Sequence, residues 1–216
     1  MNFECSPFYL YIFFLEDYIS FMTICPAKRF DLSSIMQIER ASFIPNIQES
    51  ENIFEQRLQI FPEGFFVLID SSDETVFKHG KSFVAGYFCS ELLQSIPNSD
   101  DFFSLDHSPD KTHSTNGNTL YVSSFAIHPE YRNKKIGKSF FYNSLKSICT
   151  SNKQISKVLL LVNQEWQNAK HIYESLGFKD LRIIKNFFPS LHNNFSDGII
   201  MTANSSLFIE HNPFSA

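Results

Sequence analysis

Two patterns of apolar residues alternate along the chain, one with the spacing of helices and one typical of buried strands. Apolar residues recur every three or four positions in FDLSSIMQIERASF and SENIFEQRLQIF, which predicts two amphipathic helices. Asp31 lies just before the first of them, where its side chain would cap the helix. Continuous apolar runs follow in GFFVLID and SFVAGYFCSELL and predict two buried strands, joined as a hairpin by a longish polar loop.

The second half of the chain continues the alternation. The segments TLYVSSFAI and KVLLLV predict strands, and each is followed by a helical pattern, in RNKKIGKSFFYNSLKSI and QNAKHIYESLGF. Gly177 lies where the second of these helices would end, at its C′ position. Two late strands, LRIIKNFF and GIIMTA, complete the order α-α-β-β-β-α-β-α-β-β, which predicts a mixed α/β domain on one central sheet.

A long polar segment, residues 94–118, separates the second predicted strand from the third. It is rich in Ser, Asn and Asp and has no periodic apolar pattern. Loops of this length are uncommon in compact domains and are often functional. The segment is therefore either a functional loop or a surface insertion, and the sequence favours neither.

The chain begins with an apolar and aromatic segment. Its uncharged run, residues 7–15, is too short to span a bilayer, and it lacks the basic start and the cleavage site of a signal peptide. Met22 opens a segment that resembles the natural beginning of a domain. We therefore expect residues 1–21 to be a spurious extension or an extra helix, residues 22–206 to form the domain, and residues 207–216 to be a tail. We also expect a cytoplasmic protein without membrane attachment.

Composition narrows the possible functions. The formal net charge is −5 and the pI about 5.8, which argues against general nucleic-acid binding. The four cysteines are widely scattered and form no CxxC pair, so we predict no metal site and no redox pair. This acidic chain nevertheless concentrates positive charge at one place, in AIHPEYRNKKIGKSFF. Four cationic residues fall there within seven positions: Arg132, Lys134, Lys135 and Lys138.

This cationic segment has the pattern of a strand, a turn and the start of a helix. The first turn of a helix presents unpaired backbone N–H groups and partial positive charge, and Gly137 lets a ligand approach the main chain. Together they predict an anion site of the kind that binds phosphates. Lysines at a helix start are unfavourable by about 0.3–1 kcal/mol each, which also favours a ligand. A solvated helix start and a nucleic-acid or nuclear-localisation patch are the alternatives.

The segment SSFAIHPEYRNKKIGKSFF resembles the acetyl-CoA-binding motif of the GNAT acetyltransferase superfamily. That motif is an apolar strand, a proline, and Gln/Arg-x-x-Gly-x-Gly/Ala opening a helix, which reads here from Arg132 to Gly137. A second segment, LLLVNQEWQNAKHIYESLGF, is similar to the family's strand and helix ending in Tyr-x-x-x-Gly-Phe. With the family-like opening FDLSSIMQIERASF, the resemblance spans residues 23–204. It implies the GNAT fold: an α/β domain with a single mixed, mostly antiparallel central sheet flanked by helices on both faces.

The resemblance also implies acetyl-CoA as co-substrate. Backbone groups on the third predicted strand would pair with the pantetheine arm, and N–H groups of residues 133–138 would bind the pyrophosphate. Two departures from the family pattern concern this site: Lys135 stands where the first glycine usually lies, and Trp166 where an asparagine often lies. Asn163 or Asn168 would replace that asparagine. The predicted cofactor-binding residues are Phe125, Ala126, Ile127, Arg132, Asn133, Lys134, Lys135, Ile136, Gly137, Lys138, Ser139 and Asn168.

The resemblance further points to Tyr173 as the general acid that protonates the sulfur of coenzyme A. A backbone N–H near Phe125 would stabilise the oxyanion. The resemblance does not identify the general base. The serotonin (arylalkylamine) N-acetyltransferase branch, which the first motif resembles, has two histidines on this strand, where the present chain has Tyr121 and Ser123.

A water chain past Ser123, or the carboxylate of Glu91, would replace those histidines as the base. The predicted catalytic residues are thus Tyr173, Ser123 and Glu91. The other histidines near the site are expected to lack a catalytic role. His107 and His113 belong to the long loop and are expected on the surface, and His128 is expected to be structural.

The acceptor pocket is expected between the first helix, the loop after it and residues 94–118. Phe43, Phe102 and Phe103 would line it, and nearby acidic residues would favour a cationic amine: Glu39, Asp100, Asp101 and Asp106. We predict an N-acetyltransferase acting on a primary amine of a small molecule or peptide, as a monomer or homodimer. Protein N-terminal acetylation and a catalytically decayed acyl-CoA-binding module are the alternatives.

Overall fold

The computed structural model of the chain describes residues 9–15, 18–71, 83–105, 107–189 and 194–210, with side chains from Met22 onward. The strands are β1 Tyr9–Leu15, β2 Tyr18–Pro26, β3 Phe65–Asp70, β4 Phe83–Leu93, β5 Thr119–Ile127, β6 Lys157–Asn163, β7 Lys179–Pro189 and β8 Phe195–Asn204. The helices are α1 Leu32–Ser42, α2 Glu51–Ile60, α3 Pro109–Thr112, α4 Ile136–Ser151, α5 Gln167–Ser175 and α6 Ser206–Ile209.

All the described strands form one sheet, in the order β1-β2-β3-β4-β5-β6-β8-β7. Every neighbouring pair is antiparallel except β5 and β6, which are parallel. Helices α1 and α2 pack on one face of the sheet, and α4 packs on the other. The predicted fold class, a mixed and mostly antiparallel sheet with helices on both faces, is confirmed.

The apolar spacing explains which side each helix buries. Ile35 and Ile38 of α1 and Phe54 of α2 are at most 1% exposed and pack on the sheet with β3 and β4. On the other face, Phe140 and Leu145 of α4 are buried just as deeply. Helices cover both faces of the middle strands, so those strands are apolar on both sides instead of alternating.

Both ends of the chain differ from the prediction. The described part of residues 1–21 is not a helix: β1 pairs antiparallel with β2, and β2 continues through residue 22 to pair with β3. A continuous apolar run does not distinguish a strand from a helix, which is why this element was missed. At the other end, Phe208 lies inside the predicted tail but is fully buried against Tyr142 and Phe178. Residues 211–216 lie outside the described part.

The parallel pair formed by β5 and β6 separates halfway along its length. Register runs from Thr119 opposite Lys157 to Val122 opposite Leu160 and then stops, although β5 continues to Ile127 and β6 to Asn163. On its other side, β5 stays paired with β4 up to Ile127, with a bulge that leaves Ser123 out of register. The sheet therefore opens between β5 and β6 beyond Val122. Among the described helices, none is long and apolar enough to cross a membrane.

Candidate active site

A cavity of about 290 Å³ lies where β5 and β6 separate. Residues of both strands line it, and so do the end of α1, the long loop and the last part of β7. The lining residues are Glu39, Phe43, Asn46, Ile47, Glu49, Phe103, Ser104, Leu105, His107, Tyr121, Val122, Ser123, Ser124, Phe125, Leu160, Leu161, Val162, Trp166, Tyr173, Phe187, Phe188 and Pro189. Of the three predicted catalytic residues, Tyr173 and Ser123 line this cavity, whereas Glu91 does not.

The opening exposes one edge of β5 between Ser123 and Ile127. His128 N–H donates to the Ala85 carbonyl, 2.9 Å away, so His128 faces β4. Because backbone groups alternate along an antiparallel strand, those of Ala126 also face β4, and those of Phe125 and Ile127 face the opening. Of the three residues predicted to pair with a pantetheine arm, Phe125 and Ile127 thus have the required orientation, whereas Ala126 does not.

The turn that opens α4 has left-handed residues at two alternate positions, a pattern that resembles an anion-binding nest. Asn133 and Lys135 have φ values of 62° and 58°, and Lys135 is the N-cap residue of α4. Alternating left- and right-handed residues direct successive N–H groups toward one point, where they bind anions. Lys135 therefore occupies a position that favours glycine, at a cost of roughly 1–2 kcal/mol.

The side chains around this turn have distinct surroundings. Arg132 links the turn to β5 and to α1, because its Nε donates to the Ile127 carbonyl at 3.0 Å and its Nη2 donates to Ser42 Oγ at 2.7 Å. Lys134 lies over the Tyr131 ring, 4.8 Å from the centroid. A methyl group built on Gly137 would meet only Ile127 Cγ1, at 3.4 Å, so this position has free space.

Among the remaining predicted cofactor-binding residues, two are buried and one is exposed. The side chain of Ile136 is 2% exposed and lies in the core, so only its backbone is available to a ligand. Ser139 is also buried, and its hydroxyl accepts from Asn143 Nδ2 at 3.3 Å. Asn168 is exposed on α5 and does not line the cavity. Its alternative, Asn163, accepts hydrogen bonds from Glu165 N–H and Ser196 Oγ and thereby joins β6 to β8.

Tyr173 is held by the end of its own helix. Phe178 N–H donates to the Tyr173 carbonyl at 3.1 Å, and Gly177 N–H donates to the Glu174 carbonyl at 3.0 Å, with Gly177 at φ 90°. These bonds form a Schellman motif, which confirms Gly177 as the C′ residue. The Tyr173 ring packs on Phe141, with 4.9 Å between centroids. Burial raises the pKa of the Tyr173 phenol well above its ordinary value, so the phenol keeps its proton at neutral pH.

A buried chain of hydrogen bonds reaches the cavity from the opposite face of the sheet. The Tyr87 hydroxyl on β4 donates to Glu39 Oε2 on α1 and lies 2.9 Å from Ser124 Oγ on β5. Because the phenol has one proton and gives it to Glu39, the 2.9 Å bond is donated by Ser124. Ser124 and Glu39 both line the cavity. Sequence reasoning named Glu39 only as nearby negative charge and did not single out Tyr87 or Ser124.

Glu39 itself is only 1% exposed. Desolvation raises the pKa of its carboxyl from 4.5 to about 7, and the hydrogen bonds from Tyr87 and from Glu49 N–H oppose that rise. Glu49 in turn pairs with the fully buried Arg57 at 2.9 Å. Glu39 is therefore a carboxyl group that gains and loses its proton close to neutral pH.

Glu91, predicted as a base, does not line the cavity. It is 1% exposed, His107 Nε2 lies 2.5 Å from one of its oxygens, and Thr112 donates to the other at 2.6 Å. Both oxygens are thus occupied, and Glu91 lies behind His107 instead of in the cavity. His107 is not the surface residue that was expected, because its side chain is 10% exposed and packs between Phe102 and Tyr121.

His113 and His128 both pack on aromatic side chains. His113, expected on the surface, accepts from Leu92 N–H and packs on Phe61, and desolvation lowers its pKa. His128 packs on Phe83 and accepts from Glu130 N–H, which fits a structural residue. Neither residue lines the cavity.

Aromatic side chains form one wall of the cavity. Trp166 packs on Phe43 of the segment after α1 and on Phe188 of β7, with 5.4 Å between centroids in both contacts. Phe43 and Phe103 line the cavity as predicted, whereas Phe102 packs behind Phe103 and His107.

The predicted acidic residues of the long loop do not reach the cavity. Asp100 pairs with Arg182 at the surface, Asp101 is exposed, and Asp106 lies outside the described residues. Within the described ranges, no group of three or more His, Cys, Asp or Glu side chains has an arrangement that could hold a metal ion.

The comparisons with known proteins agree with this geometry. Residues 102–180 match the family model described as an acetyltransferase (GNAT) domain. No curated protein matches the chain. Among solved structures, the ribosomal-protein-S18-alanine N-acetyltransferase from Escherichia coli is 17% identical over 90% of this chain and 99% of its own, with a TM-score of 0.59.

Two further solved structures share this architecture. Arabidopsis thaliana NAA60 in complex with acetyl-CoA is 17% identical over 85% of this chain and 98% of its own, with a TM-score of 0.63. The loading GNATL domain of CurA from Lyngbya majuscula is 14% identical over 86% and 98%, with a TM-score of 0.67. The chain therefore has the GNAT fold. Its residues 102–180 match the model of the GNAT acetyltransferase domain, in agreement with the resemblance that the two sequence motifs carry.

Proposed function

We propose that this protein is an N-acetyltransferase that moves the acetyl group of acetyl-CoA directly to a primary amine. The observation that carries the proposal is the opening between β5 and β6, which is followed directly by the positive-φ turn at the start of α4. An unpaired strand edge suits the amide groups of a pantetheine arm, and a nest of N–H groups suits a diphosphate.

In this proposal the coenzyme is bound mainly by main-chain groups. Phe125 and Ile127 pair with the arm, and the N–H groups of residues 133–138 bind the diphosphate. Lys134, Lys135 and Lys138 add attraction for its negative charge. Arg132 holds the turn against β5 and α1 through its two bonds, so it positions the turn instead of binding phosphate.

Tyr173 is proposed as the acid that protonates the departing thiolate. Its raised pKa keeps the phenol protonated, which a proton donor needs. Backbone N–H groups at the Ser123 bulge and at Phe125 are proposed as donors to the oxyanion that forms during transfer. Ser123 is proposed to act through its backbone at this donor site. Its hydroxyl donates to the Cys89 carbonyl at 3.2 Å and so fixes the bulge.

The cavity favours a cationic acceptor with an apolar body. Glu49 lines it, and within the described part of the chain its Oε2 has no hydrogen-bond partner although it is buried. The wall of Phe43, Trp166 and Phe188 supplies apolar surface and faces for cation–π contact. An arylalkylamine and the amino terminus of a peptide both have this chemistry. The fold shared with the S18-alanine enzyme supports protein N-terminal acetylation as the second candidate.

The test is a panel of amines and short peptides, incubated with acetyl-CoA while free thiol is measured. We expect thiol release that depends on both the amine and the protein, and competition between peptides and arylalkylamines then distinguishes the two acceptor classes. Acetyl-CoA binding by calorimetry is measured in parallel. Binding without thiol release from any amine would instead support a decayed acyl-CoA-binding module. A cytoplasmic location and a monomeric or dimeric state stay predictions.

A further inference from the structure

We propose that the acceptor ammonium loses its proton along the hydrogen-bonded chain Ser124–Tyr87–Glu39, with Glu39 as the final acceptor. This inference rests on the proposed N-acetyltransferase activity. It assigns the base, for which the sequence offered only Ser123 and Glu91.

Ser124, Tyr87 and Glu39 form one continuous hydrogen-bonded chain. The three side chains belong to three elements, β5, β4 and α1, yet each bonds the next. Every bond has the same direction, because Ser124 donates to Tyr87 and Tyr87 donates to Glu39. A proton that arrives at Ser124 Oγ can therefore be transferred by moving one proton along each bond, and neither hydroxyl has to ionise separately.

Ser124 lies at the end of the chain that is more accessible from the cavity. Ser124 is half-buried, lines the cavity and precedes Phe125, whose backbone faces the opening. Glu39 is almost fully enclosed, so Ser124 offers the more accessible entry from the cavity. His107 also lines the cavity, but its ring packs on Tyr121, in the part of β5 that is still paired with β6. The proposed proton chain therefore begins where β5 and β6 separate, whereas His107 lies beside the part of β5 that is still paired with β6.

The electrostatic environment of Glu39 suits a group that accepts a proton. The ionisable groups that act on it are Tyr87 on β4, Glu49 ahead of α2, and Arg57 on α2. Arg57 forms its ion pair with Glu49, with 2.9 Å between Nη2 and Oε1. Glu39 therefore has no direct ion-pair partner among the described residues. A buried carboxylate without such a partner binds a proton more readily than an exposed one, which suits a base that works near neutral pH.

The reaction balances with this assignment. An acceptor R–NH3⁺ gives one proton through Ser124 and Tyr87 to Glu39, which becomes a neutral acid. The free amine attacks the thioester carbonyl, a C–N bond forms, and the C–S bond breaks as the tetrahedral species collapses. The departing sulfur takes the Tyr173 proton, and the second proton of the nitrogen restores Tyr173. Glu39 releases its proton to solvent, so the net products are the amide, the free thiol of coenzyme A and one H⁺.

The experiment compares Glu39→Gln, Tyr87→Phe and Ser124→Ala with the wild type and with Glu55→Gln. Glu55 is an α2 residue that pairs with Arg29 and does not line the cavity, which makes it a matched control. The rate of thiol release is measured from pH 5.5 to 9 with 2-phenylethylamine and with a heptapeptide that has a free amino terminus. Wild type and Glu55→Gln should show kcat/KM rising through a pKa near 7. Glu39→Gln should be at least about 100-fold slower at pH 8 and should lack this rise.

Tyr87→Phe keeps the carboxylate but interrupts the chain, so it should also be at least about 10-fold slower. Ser124→Ala should be slowed as well. Acetyl-CoA affinity and the circular dichroism spectrum should be unchanged in all of these variants. These two readouts separate a lost relay from a lost fold.

Two outcomes would overturn the relay. One is an unchanged pH profile in Glu39→Gln and Tyr87→Phe while His107→Asn loses the rise. The other, which needs no acceptor, is the absence of a carboxyl titrating near pH 7 in infrared difference spectra of the wild type, compared with Glu39→Gln. Failure of the proposed activity would look different, because the wild type would then not bind acetyl-CoA or would release no thiol.

Discussion

The Tyr173 carbonyl accepts a hydrogen bond from Phe178 N–H, 3.1 Å away, and the two rings lie 6.0 Å apart. The same two residues thus form both the backbone bond and the apolar contact of the Schellman motif that ends α5. The segment Tyr-x-x-x-Gly-Phe is therefore a device that fixes the position of the tyrosine. Gly177 permits the turn because it adopts a positive φ, and Phe178 fixes Tyr173 through the backbone bond and the ring contact.

The first prediction concerns the phenol of this tyrosine. Tyr173→Phe removes one oxygen and keeps the packing on Phe141 and Phe178, so the fold should be retained. We expect turnover to fall at least about 100-fold, because the thiolate then leaves without a proton donor. Acetyl-CoA affinity, measured by calorimetry, should change little. Unchanged turnover would show that Tyr173 is a core residue only.

A second prediction distinguishes two glycines. Gly137→Val should abolish acetyl-CoA binding, because the added side chain occupies the space in front of the nest. The free energy of unfolding should change by no more than about 1 kcal/mol, since only Ile127 Cγ1 lies near that space. Gly177→Ala is the reverse control: its φ of 90° makes a side chain strained, so stability should fall. If Gly137→Val binds acetyl-CoA normally, the diphosphate is bound elsewhere.

A third prediction concerns the lysine with left-handed backbone. Lys135→Gly removes backbone strain, and we expect the free energy of unfolding to rise by up to about 1 kcal/mol. Lys135→Ala removes the same charge but keeps the strain, so it should not be stabilised. Comparing acetyl-CoA affinity of the two variants with wild type isolates the contribution of the charge. Equal stability of the two variants would contradict the strain.

The fourth prediction follows from the pKa of Glu39. The folded protein raises this pKa from 4.5 to about 7, so the folded state binds the proton more tightly than the unfolded state. The stability that the protonated group contributes is present below pH 4.5 and is lost as pH rises through about 7. Wild type should therefore lose up to about 3 kcal/mol relative to Glu39→Gln between these values. Urea unfolding at pH 5 and pH 8 measures the change, and a difference that is the same at both pH values would refute it.

A fifth prediction concerns the end of the domain. Phe208→Ala empties a fully buried site between Tyr142 and Phe178, so it should destabilise the protein by about 3–5 kcal/mol. Ile209→Ala, at a 37% exposed neighbour, is the control and should have a much smaller effect. Thermal unfolding of the two variants provides the measurement. Equal effects would restore the interpretation of residues 207–216 as a tail.

The sequence predicted those features that depend on residues close together in the chain. Helix α1, the hairpin of β3 and β4, the turn before Gly137 and the cap at Gly177 each depend on short-range spacing or on one backbone conformation. The Glu39–Tyr87–Ser124 chain was missed because its bonds join residues 48 and 37 positions apart, and no local pattern encodes such contacts. His107 was misplaced for the same reason, since only the folded loop brings it to Glu91.

The separation of β5 from β6 has a consequence for the stability of the protein. Beyond Val122, no described strand pairs with the open edge of β5, so a molecule bound there would complete the sheet's hydrogen bonding at its centre. Such a molecule would act as a temporary strand, and its concentration would then help to set the melting temperature and the amide-exchange rates of Phe125 and Ile127. For this chain, the amount of coenzyme present would thus be one determinant of how firmly the middle of the fold is held together.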